Sequence, residues 1–242
     1  MTLVEHLTEL RARLIKCVVA VVVGIVVGFV LYEWIFDFLI RPYAQIADEQ
    51  NSLTGDRLLQ TDPLEGFGIR MQLSTYTGIG LAMPVLLWQV WRFVTPGLYS
   101  HERRYAVPFV LSALVLFVLG AGLAYITLPQ ALDFLTRIGG DNLVTAFSTG
   151  KYVKLVTYMM LAFGIGFEFP IVLVFLQLAG LVEPRTLAKG RRYAVVGICI
   201  LVAVITPSGD PYSMLMLSVP MVLFYEISIL LGRVMARRRA DA

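Results

Sequence analysis

Histidine and cysteine are nearly absent from this chain. The only histidines are His6 and His101, and the only cysteines are Cys17 and Cys199, each cysteine inside an apolar run. That pattern offers no Cys/His spacing for a metal ion and no disulfide framework, and the cysteines read as small buried hydrophobes. Charge is scarce as well: 15% of residues are charged, against about 25% in a soluble domain. Also missing are a Ser/His/Asp or Cys/His arrangement near a common face and a Gly-rich phosphate-cradling loop. The sequence therefore predicts no enzyme, no cofactor and no metal. A net charge of +3 is too mild to imply a nucleic-acid partner.

Apolar residues fill the space instead. They make up 58% of the 242 residues, and the mean hydropathy is +0.77. They cluster in long runs, which defines an all-α integral membrane protein. Arg11, Arg13 and Lys16 precede the first run as in a signal peptide. That run, however, is longer than a signal core and lacks a small-x-small site close behind, so it reads as a retained span. Residues 1–16 read as a cytoplasmic amphipathic helix. Thr2 and Glu5 have capping-box spacing, Leu3, Leu7, Leu10 and Leu14 share a face, and Glu5, Glu9 and Arg13 follow at i,i+4. Such a helix is expected along the interface.

Six spans are predicted, at about 17–38, 73–94, 105–128, 152–179, 193–206 and 213–231, with a basic tail at 232–242. The fifth, with 14 residues, rises only about 21 Å against a hydrocarbon core of ~30 Å, too short to cross a normal bilayer, and the sixth is expected to be short as well. Pro84 and Pro170 should bend the second and fourth spans, which favours a concave bundle. With the N-terminus inside, inner segments hold 14 of the 20 basic residues and outer segments hold 6 (Arg41, Arg57, Arg70, Arg137, Lys151 and Lys154). The positive-inside rule therefore gives N-in, C-in. The outer loops, about 39–72 and 129–151, are expected as turns with at most short helix. Pro207 to Tyr212 is expected as a tight turn.

A few polar residues stand out against this background. Glu168 lies deep in the fourth span, in Gly164-Ile-Gly-Phe-Glu-Phe-Pro170. An ionisable group there costs about 2.5–3.5 kcal/mol on insertion scales, so it should face the bundle or a wet cavity. Either it meets a substrate, a proton or a partner helix, or it is a protonated acid bonded to carbonyls freed by Pro170. Glu226 lies near the inner interface, and Glu33 and Asp37 lie near the outer one. The loop Phe93-Val-Thr-Pro-Gly-Leu-Tyr-Ser-His-Glu-Arg-Arg104 holds a Pro-Gly turn and a carboxylate. Ser100 can cap the third span, with Glu102 favourably placed in its first turn and Arg103 and Arg104 as topology signals. Glu9 can pair with Arg13 at i,i+4. Glu9 and Glu102 also fall at the same membrane face, where two carboxylates can clamp two guanidiniums through bidentate bonds.

His6-Leu-Thr-Glu-Leu-Arg-Ala-Arg-Leu14 resembles the N-terminal motif of the TatC family, the multispanning subunit of the twin-arginine protein translocase. So do Gln89-Val-Trp-Arg-Phe93, Pro96-Gly-Leu-Tyr-Ser-His-Glu-Arg-Arg104, Phe167-Glu-Phe-Pro170 and Thr206-Pro207, in family order. The resemblance implies a receptor and core subunit of a translocase in the prokaryotic plasma membrane. Such a translocase exports folded proteins under the proton-motive force. Its implied partners are twin-arginine signal peptides, TatA- and TatB-type single-span proteins, further copies of itself and membrane lipids. Carried over by position, Glu102 and Glu9 accept the twin arginines, with Arg11, Phe93 and Leu98 shaping that patch. Glu168 and Tyr125 face the intramembrane cradle, and Pro42 and Asp210 belong to the outer side. The chain departs from the family at its last turn, which is one residue longer and has Met214 where a glutamine often stands. A proton-coupled small-solute carrier built on Glu168 is the competing function, although the repeated halves common in carriers are not evident. A scaffold that only assembles single-span partners is the third.

Overall fold

The computed structural model describes residues 3–49, 58–59, 62–94, 106–138, 148–178, 180–207 and 209–240. Among these, helices account for nearly everything: α1 (Leu3–Val30), α2 (Tyr32–Glu49), α3 (Glu65–Val94), α4 (Ala106–Ile138), α5 (Thr149–Gly166), α6 (Phe169–Leu178), α7 (Pro184–Lys189), α8 (Arg191–Ile205) and α9 (Pro211–Ala240). Among the described residues, four stretches are long and apolar enough to cross a membrane: Leu7–Val30, Val107–Ile138, Thr149–Leu178 and Pro211–Val234.

Several helix boundaries differ from the periodicity reading. The amphipathic N-terminal segment and the first span are one continuous helix, α1. No proline or glycine interrupts residues 3–23, so nothing breaks the helix where polar pattern gives way to apolar. Helix α2 continues to Glu49 through Pro42, beyond the expected start of a loop at 39. Helix α4 passes Pro129 and ends ten residues later than expected, at Ile138. Its extension is packed, since Ala131 and Leu132 are completely buried, and burial there offsets the hydrogen bond that a proline deletes. The sixth span is not short, because the apolar part of α9 alone runs 24 residues. The fifth, α8, is short, with 15 residues.

Helix α5 sits at the centre, packed against α3, α4 and α9. Tyr152, Val153, Val156, Met159 and Phe163 from α5 meet Leu73, Leu128, Leu132, Leu217 and Met221 in one core. Helices α1 and α3 lie so close that a Cβ on Gly24 would stand 2.5 Å from the Gly78 carbonyl oxygen. Only glycine permits that approach, the usual way helices gain contact in lipid. At the other end of α3, Trp91 packs on Phe109 (4.2 Å between rings) and Phe175 (5.7 Å), tying α3 to α4 and α6. Proline behaves in two ways: α3 runs unbroken through Pro84, whereas the helix is interrupted at Phe167-Glu168, just before Pro170.

Candidate functional site

The ends of the bundle follow from the pairing of α1 with α3. Arg70, early in α3, donates to the Phe29 carbonyl at the end of α1 and stacks over the Phe29 and Tyr32 rings. Gln89, late in α3, lies beside Arg13 near the start of α1. The two helices are therefore antiparallel. Glu9, Arg13, Gln89 and Phe93 share one end, and Arg70, Glu65 and the start of α5 share the other.

At the first end, the Glu9 carboxylate is half-buried and holds the Arg13 guanidinium, which reaches Gln89 Oε1 at 3.5 Å. The expected i,i+4 pair is formed. It is also an arginine-gripping arrangement, since one carboxylate oxygen accepts from both Nε and an Nη of a guanidinium. Phe93 stands one helical turn beyond Gln89 on α3 and is half-buried, while Arg11 is exposed on α1. Trp91 of the same motif is 4% exposed and serves packing. Leu98, Ser100, Glu102, Arg103 and Arg104 lie outside the described residues.

Glu168 lies at the break between α5 and α6. It is 9% exposed, and its Oε1 is buried without a hydrogen-bond partner among the described residues. That atom is thus not bonded to a carbonyl freed by Pro170. The break is held against α9: Phe167 packs edge-on on Phe224, and Gly166 lies against Leu217 and Met221. A buried carboxyl oxygen without a donor costs free energy on either protonation state. An incoming polar group is therefore favoured there.

Pro42 and Tyr125 are brought together, which the sequence did not indicate. Proline has no N–H, so Pro42 cannot bond the Phe38 carbonyl one turn earlier. The Tyr125 hydroxyl supplies the missing donor, at 2.9 Å, and its ring stacks on Phe38 with centroids 4.4 Å apart. The Tyr152 hydroxyl donates to the next carbonyl, Leu39, at 2.7 Å. Tyr125 therefore holds α2 against α4.

Asp210, 1% exposed, caps α9: its Oδ1 accepts from the Ser213 N–H at 2.6 Å. In the turn before α9, Gly209 has a φ of 59°, which suits glycine. An Asp-Pro pair at the cap and first helical position was a legible signal for this role. Two further contacts had no clear signal. Glu65 at the start of α3 accepts from Ser148 Oγ (2.5 Å) and the Gly150 N–H (2.7 Å), fastening the start of α5. Gln177 of α6 donates to the Ser228 carbonyl of α9 at 3.0 Å. Glu226 pairs with Arg191 across α8 and α9 at 2.8 Å, so it has a structural partner.

Fold and site together define an all-helical, multi-pass membrane protein without a catalytic constellation among the described residues. Residues 5–220 match the family model of the Sec-independent protein translocase protein, TatC. The chain is 39% identical to the TatC protein of Aquifex aeolicus over 244 residues, covering 100% of this chain and 98% of that one. It is also 39% identical to TatC of Frankia casuarinae over 247 residues, covering 99% of this chain and 68% of that one. Among solved structures, it is similar to a crystal structure of the twin-arginine translocase receptor TatC in DDM, with a TM-score of 0.79 and 39% identity. That match covers 94% of this chain and 99% of the other. A second crystal structure of that receptor gives 0.77 and 38%, covering 95% and 98%. The chain belongs to the TatC family. It is a subunit of the Sec-independent protein translocase, a transport protein and not an enzyme.

Proposed function

We propose that this chain is the receptor for twin-arginine signal peptides in a translocase that exports folded proteins, and that Glu9 and Glu102 accept the two arginines. The observation that supports this most is the state of Glu9. Its carboxylate already grips a guanidinium, that of Arg13, at the end of α1–α3 from which the 95–105 segment leaves. Signal binding is then an exchange. An incoming arginine takes Glu9 from Arg13, and the freed Arg13 keeps its approach to Gln89. Phe93, Leu98 and Arg11 border the patch. The apolar part of the signal lies along the bundle towards Glu168, whose unpartnered oxygen suits a polar group from the signal or from a TatA- or TatB-type helix.

The topology that goes with this function is six spans in a concave bundle, N-in and C-in, in a prokaryotic plasma membrane. Helices α3 and α8 join the four long apolar spans, the latter across a locally thinned bilayer. Self-association and single-span partners complete the translocase, and the proton-motive force drives it.

The test is photo-cross-linking of an Arg-Arg signal peptide, with its Lys-Lys version as control. Removing one partner of a desolvated pair costs about 2–5 kcal/mol, roughly 30- to 5,000-fold in affinity. Glu102→Ala and Glu9→Gln should each weaken Arg-Arg binding within that range, and a charge-swapped signal should restore part of it. Undiminished cross-linking in both variants would falsify the assignment.

A further inference from the structure

At the end of the bundle opposite Glu9, two lysines stand where helix electrostatics disfavour them. Lys151 and Lys154 occupy the first turns of α5, where the helix dipole favours anions and Glu65 already supplies one. They also count among the 6 basic residues on the side of the chain poor in positive charge. Both are exposed, and neither pairs with a carboxylate among the described residues. Residues 151, 154, 155 and 158 form one stripe along α5, since they recur at helical spacing. Beside that stripe is a cavity of about 330 Å³ lined by Lys151, Lys154, Leu155, Tyr158 and Pro207, the last from the turn between α8 and α9. Its walls are apolar and its cations stand at the rim.

Depth along the span matters as much as charge. Thr149–Leu178 is one 30-residue stretch, so at ~1.5 Å per residue Lys151 and Lys154 lie about 19 and 14 Å from its middle. Half the hydrocarbon core is about 15 Å. The ammonium groups therefore sit at headgroup level. Leu155 and Tyr158 lie deeper, at acyl-chain level, with the tyrosine able to turn its hydroxyl towards the interface.

We infer that this cavity is a binding site for one anionic phospholipid, its phosphate between Lys151 and Lys154 and an acyl chain against Leu155, Tyr158 and Pro207. The charge sign selects an anionic headgroup, and the dry wall continuous with it selects a lipid over a soluble phosphate. A lipid bound there fills the gap between α5 and the α8–α9 turn, where packing of the protein is incomplete. The site lies away from the Glu9 patch and does not depend on signal recognition.

The experiment is native mass spectrometry of the purified full chain with phosphatidylglycerol or phosphatidylcholine of identical chains. Wild type should retain one more phosphatidylglycerol than phosphatidylcholine. The Lys151→Gln/Lys154→Gln double variant should lose that extra molecule, and Lys151→Arg/Lys154→Arg should keep it. In bilayers, a Tyr158→Trp variant should be quenched more by brominated phosphatidylglycerol than by brominated phosphatidylcholine, and the excess should vanish in the double-Gln background. Equal retention of the two lipids by wild type overturns the inference. So does full retention of phosphatidylglycerol by the double-Gln variant, or protection of the tryptophan from both brominated lipids by a second protein copy.

Discussion

Pro42 lies inside a continuous helix and Pro170 just after a helix break in the same bundle, and their surroundings are opposite. At Pro42 the carbonyl without an N–H partner, that of Phe38, is satisfied by Tyr125, and the neighbouring Leu39 carbonyl by Tyr152. At Pro170 the polar group next to the break, Glu168, has a buried oxygen without a donor. A proline whose freed carbonyl is answered within the fold is a structural feature. A bend that leaves one buried polar atom open stores an unfavourable term that a ligand or partner can relieve. On the proposed function, the first belongs to the frame of this translocase subunit and the second to its working surface.

Substitutions at the two bends should therefore split stability from export. The largest effect is expected on export at Glu168. An interhelical hydrogen bond in lipid is worth about 1–2 kcal/mol, so Glu168→Leu should lower export roughly 5- to 30-fold. Its thermal midpoint in detergent should be no lower than wild type, because an apolar side chain removes the unpaired oxygen. A midpoint that drops with normal export would place Glu168 in the frame instead.

Pro42 is expected to behave in the reverse sense. Tyr125→Phe leaves the Phe38 carbonyl without its donor and should cost about 1–2 kcal/mol of stability. In a Pro42→Ala background the backbone N–H returns, and the same change should cost markedly less. A double-mutant cycle from denaturant unfolding measures that coupling, and a coupling near zero would show that Tyr125 does not answer the proline.

The cap of α9 tests the frame at a second point. Asp210→Ala should cost about 1–2 kcal/mol, the upper part of the range for caps, since Asp210 is 1% exposed. Asp210→Asn should recover most of it, and equal losses for Ala and Asn would point to the charge rather than the cap. The smallest effect is expected for Arg191→Ala. Its partner Glu226 and the arginine itself are 40% and 50% exposed, so screening holds the loss below about 1 kcal/mol. A larger loss there would make the α8–α9 pair part of the frame.

The positions of Glu9 and Arg13 at helical spacing were legible in the sequence, and so was the contact they form. The anomaly of Glu168 was legible too, because a carboxylate in an apolar run stands out whatever surrounds it. Helix ends were less legible near prolines. Loops were expected from about 39 and 129, yet α2 and α4 continue through Pro42 and Pro129. A tyrosine from another helix and complete burial of Ala131 and Leu132 outweigh the local penalty. The Asp-Pro pair at the start of α9 was legible as a cap, and Asp210 accepts from the Ser213 N–H there.

By itself the sequence determined that the chain is helical and membrane-embedded, which end of α1 carries its basic cluster, and that Glu168 is out of place. These follow from composition, period and the cost of charge in hydrocarbon, all of which are local. The tertiary structure alone decided that Arg13 reaches Gln89, that Tyr125 answers the Phe38 carbonyl, and that Glu65 fastens the start of α5. Those pairings join residues 76, 87 and 85 positions apart. No periodicity reaches that far, and only the packing of helices against each other brings a donor to a particular acceptor.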